Sequence, residues 1–457
     1  METIGPHVGT IPVRCAPSQA PCPDCGRLGR RKAIHHRRVR TIAYKRVVYL
    51  DVTYGEYRAR CRCRKTFRTT PPGVEPKATY DNTVRQAVLD RILDDGMSVE
   101  RVIASMRRDF YLDLSDGFVY DCLDWQAKRL DLAGHRRWVL ERFSGTLCVD
   151  ELHLGRTTLL LATDPLQDLP VAFALVSSND AGHMRRFLKN LKAWGLAPEV
   201  VVTDGSNLYP EILEELWPEA RHQLCVFHVL KELHKQVLDA VRRLRRGLSR
   251  RGRRGRKRKR GRPRKGRSRR RGLTPKERSA FISQHRWLIV KRRDRMSQQE
   301  RVDLATMLSY LPELKTLRDF ADRLEMLFEA DQSEALAWGR QAALLGSRAF
   351  LAVPELAAAI GMLSAEKFAK MIAFLRSRAC DRVRTNNHVE RVNRKLRHQE
   401  KARYKWRKRR RIVGFLVLLL DRWWGLERAI RNGGQEEADG AQPSHSTSKP
   451  PRRRRVE

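Results

Sequence analysis

Residues 145–152, GTLCVDEL, and residues 199–206, EVVVTDGS, decide the fold. In each, a four-residue apolar run ends on an aspartate: Thr146–Val149 on Asp150, and Val200–Thr203 on Asp204. Runs this short, most of them bounded by Gly, Pro, Asp or Asn, predict buried strands. Further runs at Thr158–Ala162, Val171–Val176 and Leu224–Phe227 predict three more. His183–Trp194 is basic, amphipathic and helical in period, and Tyr209–Trp217 predicts a second helix. Three strands, a helix, a strand, a helix and a fifth strand make a mixed α/β order.

Upstream, residues 80–132 predict three helices. Val84, Val88, Ile92 and Leu93 recur at helical spacing, Gly96 breaks the pattern, and Ser98 caps a second helix. Arg101 stands where a complete capping box wants Glu or Gln. A third helix, Ser115–Arg129, is the candidate recognition helix of a helix-turn-helix, with Asp116, Tyr120 and Gln126 expected at its exposed face. A purely structural three-helix linker fits the same pattern.

Further upstream, Cys22-x-x-Cys25-Gly26 and Cys61-x-Cys63 form two close thiol pairs. Four thiolates in paired turns suit one tetrahedral, structural Zn²⁺. Cys15, His35 and His36 are nearby substitute ligands, and short strands such as Val47–Val52 fit a small module. Arg58, Arg60, Arg62, Arg64, Lys65 and Arg68 crowd the second pair, as a phosphate contact or as a solvated face.

The 457 residues carry 94 Lys and Arg against 52 Asp and Glu, a net charge of +42. That excess points to a polyanion, with nucleic acid first. Residues 242–272 hold 20 of the basic residues and no acid. Such a block repels itself and is expected to be disordered without a partner. Arg260-Gly261-Arg262-Pro263 within it matches the core of a minor-groove hook, although a nonspecific phosphate clamp explains the block more simply. The longest apolar run, Ile412–Leu420, is too short for a membrane span of about 20 residues. The opening METIGPHVGT has neither the basic start nor the apolar stretch of a signal peptide. Nine cysteines spread thinly suit a reducing compartment rather than a disulfide framework.

A third acid, Glu390, lies in the helical stretch TNNHVERVNRKLR. At helical spacing Asn386, Glu390, Asn393, Arg394 and Arg397 share one face. Two strand-end acids and a helix acid can bind two Mg²⁺ (or Mn²⁺) ions for phosphodiester chemistry, whereas strand-terminal Asp is also an ordinary turn former. Tyr404 and Trp406, interleaved with Arg403, Lys405 and Arg407, can stack on unpaired bases or pack inward.

VDELHLGR around Asp150, VVTDGSNLYP around Asp204, CVFHVLKELH after it and TNNHVERVNRKLRHQEKARYKWR around Glu390 together resemble bacterial insertion-sequence DDE transposases of the ISL-three type. The resemblance spans roughly residues 20–430. It implies a multidomain α/β protein: a zinc-binding module, a helix-turn-helix, and a ribonuclease H-like (retroviral integrase-like) mixed sheet with a helical insertion. It implies Asp150, Asp204 and Glu390 as the metal-binding catalytic acids, with Cys225 and His228 as local support or a contact to the transferred strand, and Asn386 and Asn387 beside them. The long interval between Asp204 and Glu390 is then filled by the insertion.

The organisation expected is a flexible 1–20, a zinc module 21–78, a helix-turn-helix 79–132, a first catalytic part 143–240, a basic segment 241–273, a helical insertion 274–378, a second catalytic part 379–431 and a disordered tail 432–457. The function implied is binding of terminal inverted repeats and metal-dependent cleavage and strand transfer of double-stranded DNA. At least a dimer on DNA and a cytoplasmic, nucleoid-associated location are expected. Two other readings use the same residues: a noncatalytic zinc-finger DNA-binding protein derived from a transposase, and a ribonuclease H-like nuclease without strand transfer.

Overall fold

The computed structural model describes residues 8–59, 64–251, 273–402 and 408–423. The chain forms two compact units, one from residues up to Leu132 with those from Arg397 on, the other from Ala133 to Leu396. No helix among the described residues is long and apolar enough to cross a membrane.

The first unit opens on a five-stranded sheet: β1 (Val8–Cys15), β2 (Gln19–Pro21), β3 (Leu28–Thr41), β4 (Val47–Arg58) and β5 (Thr66–Arg68). Its order is β1-β4-β3-β2, with β5 also on β4. The described part of the stretch expected to be flexible, residues 8–20, is thus largely strand, because β1 pairs in parallel with β4 along its whole length. The strands are also longer than expected. Over the second half of β3 burial alternates, and most of its residues are charged or His, so one face is solvated and the length is invisible as an apolar run.

Three helices follow, α1 (Asn82–Leu93), α2 (Val99–Phe110) and α3 (Asp116–Ala127), close to the expected spans. Ser98 and Ser115 cap α2 and α3 through their side chains, and Gly96 turns the chain at φ +67°. The three helices pack on one another. Residues 409–423 form a further helix in the same unit. Arg422 pairs with Asp90 and with Asp94 on α1, and the Arg411 guanidinium lies 3.6 Å from the centre of the Tyr120 ring. Tyr120 is therefore half-buried rather than free on the face of α3, and these residues group with the first unit although they were expected in the second catalytic part.

The second unit begins with α4 (Leu132–Arg142), which the sequence reading left out, and β6 (Thr146–Leu154), β7 (Thr157–Asp164) and β8 (Leu169–Val176). Then come α5 (Ala181–Ala193), β9 (Val200–Thr203), α6 (Pro210–Leu216) and β10 (Arg221–Leu224). The sheet order is β10-β9-β6-β7-β8, mixed, with β6, β7 and β8 antiparallel and β9 and β10 parallel additions. Leu147, Val149, Leu160 and Val201 pack against Met184 and Leu188 of α5 and Ile212 of α6.

The long α7 (Val226–Arg251) leads into a helical region of α8 (Pro275–His285), α9 (Gln298–Tyr310), α10 (Glu313–Leu327), α11 (Glu334–Leu345), α12 (Arg348–Leu351), α13 (Pro354–Gly361) and α14 (Ala365–Met371). Val229, Leu233, Val237 and Val241 supply the stripe of α7 that enters this core. The start of the basic block is helical, contrary to the expected disorder. Leu244 and Leu248 keep the apolar period and pack on the core, and Arg243 grips Glu355 at 2.6 and 2.9 Å. Residues 252–272, with Arg260 and Arg262, lie outside the described residues. The last element of the unit, α15 (Asn387–Ala402), brings Glu390; the division between the units falls within it.

Candidate active site

Asp150 does not end its strand, as expected, but sits where β6 loses one neighbour. β6 pairs in parallel with β9 only through Cys148↔Val202, then continues against β7 to Leu154↔Thr157. The same register carries Asp150 level with Asp204, which directly follows β9. Asp204 is fixed by its own turn, its Oδ1 accepting the Ser206 N–H at 2.9 Å. Glu151 accepts from Asn179 at 3.2 Å. Burial pushes the Asp150 carboxyl up to about 7, and the charges of Glu151 and Asp204 push the same way. Glu151 is raised as well, by burial first and then by Asp204. Wholly buried Tyr209 stands close to these acids, and its hydroxyl makes no hydrogen bond of normal geometry.

Glu390 is brought to this place by its own helix. Asn386 and Asn393 flank it on one face of α15. The Asn386 amide donates to the Val149 carbonyl at 2.9 Å, and the Asn393 amide donates to Asp150 Oδ2 at 2.9 Å. Both asparagines are buried, and each spends its amide nitrogen on β6 across more than 230 residues of sequence. The Asn386 backbone N–H donates to Cys225 Sγ at 3.2 Å, and Val226 N–H to the Arg384 carbonyl at 2.9 Å. On its other side α15 is pinned by the β7–β8 turn. Asp168, at φ +53°, accepts from His388 Nε2 at 2.7 Å and from Arg391 at 2.5 Å.

Cys225 lies after β10 and His228 in the first turn of α7, so the fifth strand ends earlier than expected. The Cys225 N–H still bonds to the Thr203 carbonyl, the last rung before the chain turns into the helix. His228 Nε2 is 3.7 Å from Glu390 Oε1. Ligand atoms of Cys225, His228 and Glu390 all lie within 4.8 Å of one another, the one such trio found among the described residues. The Cys225 thiol is pushed up by burial and accepts a backbone N–H, which suits a neutral hydrogen-bond partner better than a thiolate ligand.

Asp150, Asp204 and Glu390 offer hard carboxylate oxygens of the kind Mg²⁺ takes. They fit a cation on two counts. Glu390 Oε1 is buried with no hydrogen-bond partner, and Asp150 is held partly neutral near pH 7 by burial and by negative neighbours. The three acids form no single tight trio, and a two-ion arrangement needs none, because each ion takes a subset of them.

The other expected site residues separate by region. Arg394 and Arg397 are exposed on α15, as is Asn387 at its start. Tyr404, Trp406, Cys61 and Cys63 lie outside the described residues. Cys22 is buried and Cys25 exposed in a turn closed by Gly26 N–H to the Cys22 carbonyl at 2.8 Å, with Gly26 at φ +69°. Backbone hydrogen bonding from Asp24 holds the Cys22 thiol below its usual range. Residues 59 and 65, which bracket the second thiol pair, meet at this turn. Ala59 packs on Cys22, Ala59 N–H donates to the Lys65 carbonyl at 2.9 Å, and Lys65 Nζ is 2.6 Å from Asp24. His35 and His36 face other partners, Glu56 and Thr53.

Sequence reasoning missed Asp168, His388 and Arg391. The one available signal was His388 and Arg391 three apart on the Glu390 helix; nothing local marks a turn aspartate as their partner.

None of the curated proteins compared with the chain matches it. A family model described as transposase, of the ISL-three DDE type, matches residues 147–411.

Proposed function

Because this chain belongs to the ISL-three type of DDE transposases, we propose that it binds the terminal inverted repeats of its insertion sequence and performs metal-dependent cleavage and strand transfer with Asp150, Asp204 and Glu390. Family membership carries DNA transposition and divalent-metal use in general. The observation that carries the finer reading is the pair of amide bonds from Asn386 and Asn393, which set Glu390 between them against Val149 and Asp150. A helix that served only to pack would not spend two buried asparagines on the strand that bears an acid.

The sheet order supports a ribonuclease H-like fold: three antiparallel strands, then two parallel ones reached through helices, then an insertion before the acidic helix. Bound Mg²⁺ would supply activation of an oxygen nucleophile and stabilisation of the leaving oxygen. The chain's own residues do the positioning. Asn393 fixes one oxygen of Asp150, the Ser206 N–H fixes one oxygen of Asp204, and His228 faces Glu390. Water attack at the element's end breaks the bond between phosphorus and the 3′-oxygen and leaves a 3′-hydroxyl. That hydroxyl then attacks a target phosphodiester, displacing the target's own 3′-oxygen, with no protein–DNA covalent bond.

The first unit serves end binding in this reading. The Cys22–Cys25 turn, with Ala59 and Lys65 on either side of the second thiol pair beside it, supports a structural Zn²⁺ on Cys22, Cys25, Cys61 and Cys63. The three packed helices support a helix-turn-helix. Its exposed surface excludes the part of α3 that faces residues 409–423.

The test is a joining assay with labelled repeat ends, a plasmid target and Mg²⁺. The intact protein is expected to give joined product. Asp204→Ala and Asp150→Asn are expected to lower cleavage by on the order of 10³-fold or more, the scale of losing a main electrostatic stabiliser, while end binding stays within twofold. Cleavage retained by Asp150→Asn overturns the assignment. Cleavage without joining by the intact protein overturns strand transfer.

A further inference from the structure

A cleft of about 800 Å³ lies between the start of α7, the segment around residues 287–295, and the chain leading into α15. Seven Lys or Arg and two Glu line it, so it is strongly positive. Lys231 and Arg295 are exposed and enter no ion pair within 4 Å among the described residues. Three large aromatic side chains also line it, and two of them are exposed, Trp287 at 56% and Phe227 at 49%. Free cations beside uncovered ring faces are what an unpaired nucleic-acid strand requires, phosphates on the former and a base on the latter. A duplex hides the faces of its bases, and the cleft is too small to take one.

The cleft is joined to the acids. Asn387, which lines it, is three residues from Glu390 on α15. The Phe227 ring meets the His228 ring edge-on at 5.6 Å, and His228 faces Glu390 at 3.7 Å. One face of Trp287 is taken by the Arg286 guanidinium, 5.3 Å from the ring centre, which braces the indole and leaves its other face for a ligand. Neither exposed aromatic serves the hydrophobic core, so their exposure has no packing explanation.

We propose that this cleft binds a short unpaired stretch of DNA adjoining the cleaved phosphodiester, with a base stacked on Trp287 and phosphates against Lys231 and Arg295. The assignment rests on the DNA transposase reading and adds to it: the end must be locally opened, and the helical region holds the opened strand. Phe227, whose ring meets that of His228, supports the nucleotide nearer the cut.

The experiment uses the full chain carrying Asp150→Asn, without Mg²⁺, so that binding is read apart from chemistry. The probe is a paired repeat end with a short unpaired tail that carries 2-aminopurine at its first unpaired position. Stacking is expected to quench the probe. Trp287→Ala is expected to abolish the quench and weaken tailed-end binding by roughly 5- to 100-fold, the worth of one stacked base. Fully paired ends are expected to bind within twofold. Trp287→Phe is expected to keep most of the quench. Lys231→Ala with Arg295→Ala is expected to lower the salt dependence of tailed-end binding by about 1.4 in log–log slope, two single-strand phosphate contacts. An unchanged quench and affinity in Trp287→Ala, or an equal loss on fully paired ends, overturns the proposal. Cleavage by the Asp150 protein, run in parallel, separates the two readings. Asp150-dependent cleavage with no role for Trp287 removes the cleft alone, whereas cleavage by Asp150→Asn removes the catalytic assignment and leaves the quench to be judged on its own.

Discussion

The two five-stranded sheets are held by different means. In the sheet of the second unit β9 is buried at every position and β7 at all but its first, and helices α5 and α6 close a continuous apolar core over it. In the first unit β3 alternates, with three of its 14 residues buried, and the apolar clusters are small: Val39, Val52 and Val74 in one, Cys22 and Ala59 in another. Hydrophobic burial suffices for the first kind of sheet and leaves the places where a strand loses a neighbour or has just ended to carry acids. The second kind has too little core and needs another tie. In the reading proposed above, the Cys22–Cys25 turn, with Ala59 and Lys65 beside it, is where that tie belongs.

The largest effect should come from removing it. Cys22→Ser, or a strong chelator, is expected to melt the N-terminal sheet, since a structural Zn²⁺ contributes on the order of 10 kcal/mol to modules of this size. Hydrogen exchange should show protection lost over residues 8–58 and retained over β6–β10. End binding should fall at least about tenfold, as the affinity of a lost DNA-binding module is forfeited. Equal loss of protection in both sheets, or in neither, breaks the contrast.

A smaller effect tests how the buried sheet uses its acids. Asn393 donates to Asp150 and works against the rise in its pKa, which burial chiefly causes. Asp150 must be charged to bind a cation, and with its pKa at about 7 the charged form grows as pH rises through neutrality. Removing the amide raises the pKa further. Asn393→Ala is therefore expected to move the acid limb of the cleavage profile up by about one pH unit, roughly a fivefold loss at pH 7 that is largely recovered at pH 8.5. A loss independent of pH would make Asn393 merely structural. The linkage to stability has the same sign. Because the folded pKa exceeds the unfolded one, the metal-free protein binds more protons when folded and loses stability as pH climbs from about 4 to about 7.

The buried sheet was the legible one. Continuous apolar runs announced four of the five strands and placed Asp150 and Asp204, because burial on both faces writes itself into consecutive residues, whereas β10, Arg221–Leu224, carries Arg, His and Gln and was met by the expected run only at Leu224. The face of α15 was legible too, since Asn386, Glu390 and Asn393 recur at helical spacing. What stayed hidden depends on partners distant in sequence. Asp168 is an ordinary turn residue until it meets His388 and Arg391. The run Ile412–Leu420 reads as any buried helix, and the pairing of Arg422 with Asp90 and Asp94, with Arg411 over Tyr120, assigns it to the first unit. The cleft stayed hidden because Phe227 and Trp287 are 60 residues apart and each looks like core. In the open sheet, alternation concealed the strand lengths.

The smallest effect sharpens the same contrast on the open sheet itself. Glu56 sits among bases on β4. It accepts from Arg68 at 3.0 Å and lies 3.5 Å from Lys32 and 3.3 Å from His35. The Arg68 hydrogen bond is the main reason its carboxyl is held below the usual range. A depressed folded pKa gives stability that is present above the unfolded value and is lost as pH falls through the folded one. Glu56→Gln should thus lower the melting temperature of the N-terminal sheet slightly at pH 7, less at pH 3, and less in high salt, because exposed charge pairs are screened. If the loss at pH 7 rivals that of Cys22→Ser, the ladder of charges holds the open sheet and the thiolates do not. If the loss is the same at both pH values, Glu56 acts through packing, and the difference between the two sheets lies in the thiolates alone.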